Sequence, residues 1–193
     1  VDYTTLALVK AAIGASETSE DETLARLITA ASRAVDRFCA APDDYFQRAE
    51  VRAEVGRALV DSAGRLRFWP RKPQVWAVSA LAYRGYPAQG WIGLDTGLIT
   101  LRRCEVTAWV GISGREPLEV RCDYDGGLAT DVTGLPADLV EAVTVLAARW
   151  YNESKAGLSD VIGVSELGTV FFSKALPQRV VRLLEPYQRS VPC

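Results

Sequence analysis

The stretch Leu118-Glu119-Val120-Arg121-Cys122-Asp123-Tyr124-Asp125-Gly126-Gly127, followed by Leu135-Pro136-Ala137-Asp138-Leu139, decides how this chain reads. Its first part alternates apolar and polar residues, as a strand with one buried face does. Asp125-Gly126-Gly127 then closes the strand, since Asp and Gly accept the backbone angles of a turn. Residues 128–135 read as a loop. Pro136 sits where the first turn of a helix has no use for an N–H donor. Leu139, Val143, Leu146, Ala147 and Trp150 then trace one apolar helical face, predicting a helix to about Ser154. A β block therefore ends here and helical sequence takes over.

Reading backwards from this point, residues 45–125 are β-rich. Arg65-Leu66-Arg67-Phe68 alternates cleanly behind Gly64, which predicts a strand after a hairpin turn. Arg48 to Val55 fits either helix or strand by propensity. Trp69-Pro70-Arg71-Lys72-Pro73 cannot continue a central strand, because proline lacks the ladder donor. Val75 to Tyr83, Leu98 to Leu101 and Glu105 to Val110 are further strand candidates, punctuated by Gly90, Gly93, Gly97, Gly111 and Gly114. Short strands with glycine turns predict a small antiparallel sheet or barrel-like insert.

Residues 1–44 are helical in pattern. Tyr3 to Ile13 predicts a short helix, capped by Thr4 or Thr5 and stopped by Gly14. Ser19 with Glu22 fits a capping box ahead of a longer helix. Leu24, Leu27, Ile28, Ala31, Val35 and Phe38 form its stripe, and Pro42-Asp43-Asp44 ends it. Beyond the third helix, residues 155–176 contain Gly157, Gly163 and Gly168 among Val and Phe, and read as a long loop, either ordered against another subunit or folded onto its own domain. Pro177 starts a last helix carrying Val180, Val181 and Leu184, and Pro186 ends it. The expected class is α+β. A small helical bundle built by the N- and C-terminal segments (1–44 and 126–193) carries an inserted antiparallel β subdomain (45–125).

Composition narrows the chemistry. The chain has 193 residues, 49% of them hydrophobic, which is enough for a substantial core. Its formal charge of −2 argues against a strongly basic nucleic-acid binder. The charge is uneven. Residues 1–45 hold four basic and eight acidic side chains, and residues 46–125 hold twelve and nine. Such unlike patches can orient neighbouring subunits. Histidine is absent, which removes the usual general base and the commonest metal ligand. Cys39, Cys104, Cys122 and Cys193 make no Cys-x-x-Cys pair, so neither a zinc site nor any cofactor is expected. Nothing at the start resembles a secretory signal, and reduced thiols in a cytoplasmic setting are expected. No apolar run is long enough to span a bilayer, so no membrane partner is expected. Neither phosphate-loop nor dinucleotide fingerprint occurs. Asp43-Asp44 and Asp123 with Asp125 lie beside turn signals, where Asp commonly serves the backbone. The chain is expected not to be an enzyme.

The aromatic residues concentrate in the β block. Trp69, Trp76, Trp91, Trp109, Tyr83 and Tyr86 lie among Arg67, Arg71, Arg84, Arg102 and Arg103. This mixture suits protein interfaces, and also suits a single-stranded nucleic-acid platform. Protein contact is the favoured reading because the insert's net charge is small. The platform is kept as the alternative.

Several segments resemble the tailed-phage head-to-tail connector (adaptor, head completion) family. They are Tyr3-Thr4-Thr5-Leu6 with Val9-Lys10 and Ile13-Gly14, then Asp21 to Cys39, then Val120 to Gly127, then Leu135 to Leu139. The resemblance spans both helical ends and their join, and fades in residues 45–118 and 155–176. It implies a structural protein of the virion neck, assembled in the host cytoplasm. Copies would form a ring, typically twelvefold, below the portal, extending the channel for double-stranded DNA and docking a tail terminator or other tail component. It also implies that Pro177 to Cys193 engages the portal, through Arg179, Val180, Leu183, Tyr187 and Arg189. Trp91, Arg102, Arg103, Phe171 and Phe172 are the candidates for contact with a neighbouring subunit or the tail. DNA must slide without sticking, so an acidic channel wall of Glu17, Glu20, Asp21 and Glu22 is expected.

Overall fold

The computed structural model describes residues 2–85, 90–102, 104–112, 118–155, 161–164, 170–172 and 176–188, with 161–164 and 170–172 as backbone. In chain order the elements are α1 (Leu6–Ile13), α2 (Asp21–Phe38), β1 (Ala49–Val60), β2 (Arg65–Phe68), β3 (Val75–Arg84), β4 (Ile92–Leu94), β5 (Ile99–Arg102), β6 (Glu105–Trp109), β7 (Leu118–Gly126), α3 (Ala137–Lys155), β8 (Val161–Val164), β9 (Val170–Phe172) and α4 (Gln178–Leu184). The α+β class expected from the sequence holds. The chain forms two compact units, Val1–Asp44 with Asp131–Cys193, and Tyr45–Thr130.

In the helical unit α3 is the central element, and α1, α2 and α4 all pack on it. Thr5 caps α1 by accepting the Leu8 N–H at 3.3 Å, and Gly14 ends it at φ +69°. The expected capping box at Ser19 and Glu22 does not form. The helix starts at Asp21, so Glu20 holds the cap position and Ser19 lies one residue too early. Leu24, Ile28, Ala31 and Val35 of α2 meet a core shared with Leu139, Val143 and Leu146 of α3 and Val180 and Leu184 of α4, all buried. Each fully buried leucine or valine contributes about 1.5–3 kcal/mol.

A polar knot lies inside this core. The fully buried Asp36 carboxylate accepts from the Tyr3 hydroxyl at 2.7 Å, the Arg33 guanidinium at 2.8 Å and the Asp44 N–H at 3.0 Å. Arg33 also pairs with Asp44 at 2.8 Å and lies over the Tyr3 ring. The Tyr3 N–H donates to Ser32 at 3.1 Å, and the Thr4 and Thr144 hydroxyls share a 2.6 Å bond. The extended N-terminal residues are thereby fastened to α2 and α3.

Within the segment expected as a long loop, the described residues 161–164 and 170–172 are strands. α3 runs to Lys155, and β8 and β9 pair antiparallel, with Ile162 opposite Phe171. Apolar residues that break helical periodicity here satisfy their backbone by strand pairing instead.

The second unit is one antiparallel sheet in the order β4-β3-β7-β1-β2-β6-β5. Ala49 to Val60, ambiguous by propensity, is the long strand that ties the sheet together. It pairs with β7 over most of its length and with β2 at its end. A bulge sits at Ala53, at φ +52°, whose N–H is taken up by Asp123 at 2.7 Å. Although β6 and β7 follow one another in sequence, they are not neighbours. β7 lies between β3 and β1, and the sheet curls until β5 approaches β3. Leu66, Phe68, Val106, Ala108, Leu118, Val120, Cys122 and Tyr124 fill the inside of the curl. The buried Tyr124 hydroxyl donates to Glu54 at 2.5 Å.

The Asp125-Gly126-Gly127 turn closes this sheet. The Gly127 N–H donates to Gln74 O at 2.8 Å, and its own carbonyl accepts from the Trp76 indole at 2.8 Å. Arg48 binds Asp125 at 2.5 Å and stacks on the Trp76 ring, 4.7 Å from its centroid. Leu128 N–H to Phe46 O and Arg48 N–H to Ala129 O continue the closure as far as Ala129.

Candidate functional site: interaction surfaces

The described residues contain no cluster of three or more Asp, Glu, Cys or His side chains placed to hold a metal ion. Nor, among them, is any helix long and apolar enough to cross a membrane. Burial pushes the Cys39 and Cys122 thiols up to about 12, with Asp36 adding to the effect at Cys39 and Glu54 at Cys122. A thiol that stays protonated at neutral pH is a poor nucleophile. In a thiol-labelling experiment at pH 8 read by peptide mass spectrometry, exposed Cys104 should react within minutes. Cys39 and Cys122 should react only after denaturant is added. Rapid labelling of Cys39 in the native protein would contradict this placement.

What the chain offers is surface, and the structure sorts the sequence candidates. Of the acidic group, Glu17 and Glu22 are exposed. Glu20 is paired with Lys155, and Asp21 with Lys10. The Lys155 ammonium and the Tyr151 hydroxyl hold the Glu20 carboxyl below its ordinary range. Among the described residues, two of the four carboxylates expected to face DNA are thus paired with a lysine.

On α4, Val180 is fully buried and anchors the helix in its own bundle. Its side chain faces its own bundle rather than the surface, unlike the exposed position expected for a portal contact. Its apolar side chain answered to the nearer core. Arg179 is exposed and pairs with Glu141 at 2.7 Å. The Tyr187 hydroxyl donates to Asp138 at 2.6 Å, and burial together with that bond raises its pKa. Leu183 is half-buried. Arg189 and Arg103 lie outside the described residues, and of Phe171 and Phe172 only the backbone is described.

In the β unit, Trp91 is half-buried between two guanidinium groups, Arg84 at 4.4 Å and Arg121 at 5.1 Å from its ring centroid. Arg84 is itself held by Glu119 at 2.5 Å. Trp91 therefore clips the edge strand β4 onto β7 and presents little free face. Arg48 lies 4.7 Å from the Trp76 ring centroid, and that ring stays 45% exposed. Trp91 is thus less available than Trp76 to the stacking platform that the single-stranded nucleic-acid alternative requires. Arg102 is exposed on β5, beside a shallow recess lined also by Arg65, Arg67, Thr100 and Thr107.

Sequence reasoning placed Trp109 in the aromatic group of the β block but did not carry it among the contact candidates, and it is 63% exposed. The signal was present. In Glu105–Trp109 the buried phase is Val106 and Ala108, so Trp109 falls on the outward phase of its strand.

No protein-family model matches the sequence, and no curated protein does. Solved structures are similar along the whole chain. One neighbour is a chain in the neck of an empty gene transfer agent particle computed with C6 symmetry. It has a TM-score of 0.56 at 19% identity, covering 99% of this chain and 92% of that one. A chain in the virion of a native gene transfer agent particle gives a TM-score of 0.56 at 20% identity, covering 99% and 91%. A chain in the native neck computed with C12 symmetry gives 0.51 at 20% identity, covering 100% and 96%. The chain has the fold of a protein in the neck of phage-like gene transfer agent particles.

Proposed function

We propose that this protein is a structural component of the neck of a tailed, phage-like particle. Its copies form a ring between the portal and the tail, around the path of the DNA. The observation that carries this reading is the match over 99% of the chain to a neck protein, itself covered over 92% of its length. Both units are included, so the likeness is not that of a common bundle or barrel alone. Twelvefold assembly agrees with the C12 symmetry of one neighbouring neck. A closed ring needs two unlike patches on each copy, and unlike charge supplies them. The Tyr45–Thr130 unit holds twelve basic and nine acidic side chains, and the remainder holds ten and fifteen.

Mixing the purified chain with its cognate portal and imaging the product tests the reading. The expected product is a ring of this protein seated on the portal. A chain that neither forms rings nor binds any neck or tail component would refute it. Passage of duplex DNA adds a second expectation. At 50 mM salt the protein should show no tight duplex binding, because a chain with a formal charge of −2 has no net attraction for a polyanion. A mobility-shift titration with a steep salt slope would contradict a sliding surface.

A further inference from the structure

The outer face of the curled sheet carries an exposed patch of aromatic, apolar and basic side chains. In the register, Trp109 stands opposite Arg65, and Leu59, Arg67, Thr107 and Thr100 form the next row. Arg102 lies opposite Glu105 in the row below. Arg57 follows two residues before Leu59 on the same side of β1. By strand spacing the patch is roughly 14 Å in each direction. Trp109 and Leu59 are 63% and 57% exposed. The indole N–H is already satisfied by Ala63 O at 3.3 Å, and the ring lies against Gly111, where an added Cβ would meet it at 3.0 Å. Trp109 is thus held rigid with one face open, which lowers the entropy cost of using it as an anchor. Arg65 and Arg67 are held by Asp61 at 3.0 Å and Glu105 at 2.5 Å. Arg57 and Arg102 are exposed, and Glu119 stands opposite Arg57 while pairing with Arg84, so four arginines against Asp61, Glu105 and Glu119 leave the patch cationic.

We infer that this face is the docking surface for the next copy of the chain in the ring, and that its occupant is the exposed acidic corner between α1 and α2. The inference rests on the ring reading above and names the surfaces that reading leaves open. Charge complementarity selects the occupant. Around that corner Glu17, Glu20, Asp21 and Glu22 outnumber Lys10 and Lys155, so it is anionic where the sheet face is cationic. Glu17 and Glu22 thereby face a neighbouring protein rather than DNA. The patch is smaller than the roughly 800 Å² per partner of a stable interface, so it forms the centre of a larger contact. An exposed Trp ringed by Arg is the composition of such a centre. A nucleic-acid strand fits less well, because only one open aromatic face is present and two arginines are already engaged.

Sedimentation velocity over a range of concentration and salt, with and without portal, tests this. The wild type should self-associate, more weakly as salt rises. R57E/R102E and, separately, Trp109→Ala should each weaken association at least tenfold, with melting curves unchanged. Adding E17K/E22K to R57E/R102E in one chain should restore most of the loss. Association of both variants equal to wild type would overturn the surface while leaving the ring reading intact. Weakening without rescue would overturn the acidic corner as occupant. Salt-sensitive binding of oligo-dT that is lost in R57E/R102E would make the face a nucleic-acid site. A wild type that stays monomeric even with portal would remove the ring reading and this interface together.

Discussion

Replacing Gly127 with alanine is expected to prevent the β unit from folding. Gly127 sits at φ +128°, and an added Cβ would lie 2.2 Å from Gln47 O and 2.4 Å from Arg48 Cα. Both obstacles are backbone, so no rotamer change relieves the clash. The φ value alone costs about 1–3 kcal/mol for a residue with a Cβ. The contact must be relieved by moving the segment that pairs Arg48 with Ala129 and places Arg48 on Asp125. The sum should exceed about 4 kcal/mol, a large share of the usual stability of a domain. The measurement is a urea melt followed by tryptophan fluorescence, since all five tryptophans except Trp150 lie in this unit. Gly93→Ala is the control, because no atom lies within 4 Å of its added Cβ and its φ is not positive. A Gly127→Ala protein that melts like Gly93→Ala would show that Gly127 does not hold this positive-φ conformation against Gln47.

The second large effect is expected in the helical unit. Asp36→Ala removes the acceptor shared by Tyr3, Arg33 and the Asp44 backbone. It strands a largely buried guanidinium and a buried phenol. Removing one partner of a buried ion pair costs about 3–5 kcal/mol, because the other charge stays desolvated. Arg33 keeps its bond to Asp44, which places the expected loss near the lower end of that range. Thermal unfolding followed by far-UV circular dichroism would read it. Asp36→Asn should lose less, since it keeps the shape and one acceptor oxygen.

The same residue gives a pH dependence. Burial pushes the Asp36 carboxyl above its ordinary range, against the opposing pull of Tyr3 and Arg33. The folded chain then holds this proton to higher pH than the unfolded chain. Its contribution to stability is full below the ordinary carboxylate pKa and is lost as pH rises through the folded value. The stability difference between wild type and Asp36→Asn should therefore shift against the wild type as pH rises through the carboxylate range. A difference constant with pH would show that Asp36 titrates alike in both states.

Much of the architecture was legible because local rules and tertiary packing agree. The stripe in α2, the alternation in β2 and β7, and Pro136 and Pro177 each mark an element that the fold then uses. Legibility failed where a local signal had a competitor. Ser19 lost its capping role because the helix begins one residue later than the box requires. Val180 sits on a terminal helix that looked available to a partner, yet its own bundle buries it. Trp91 was read as a contact residue from its composition, and the fold sets two arginines, from β3 and β7, within 5.1 Å of its ring centroid, a neighbourhood no local pattern gave. Trp109 carried the opposite lesson, since its outward phase was readable and its exposure follows from it.

Unaided, the sequence determined the four helices, several of the strands, and that β sequence is inserted between two helical ends, while Ala49–Val60 stayed ambiguous and Val161–Val164 and Val170–Phe172 read as loop. Those properties depend on spacings of two to four residues, where backbone geometry sets the period. Tertiary structure alone decided which side chains remain free to meet a partner. Glu20 finds Lys155 across 135 positions, and Arg48 finds Asp125 across 77. No local pattern announces such pairs, because the electrostatics that neutralise a charge act through space while the sequence records only neighbours along the chain.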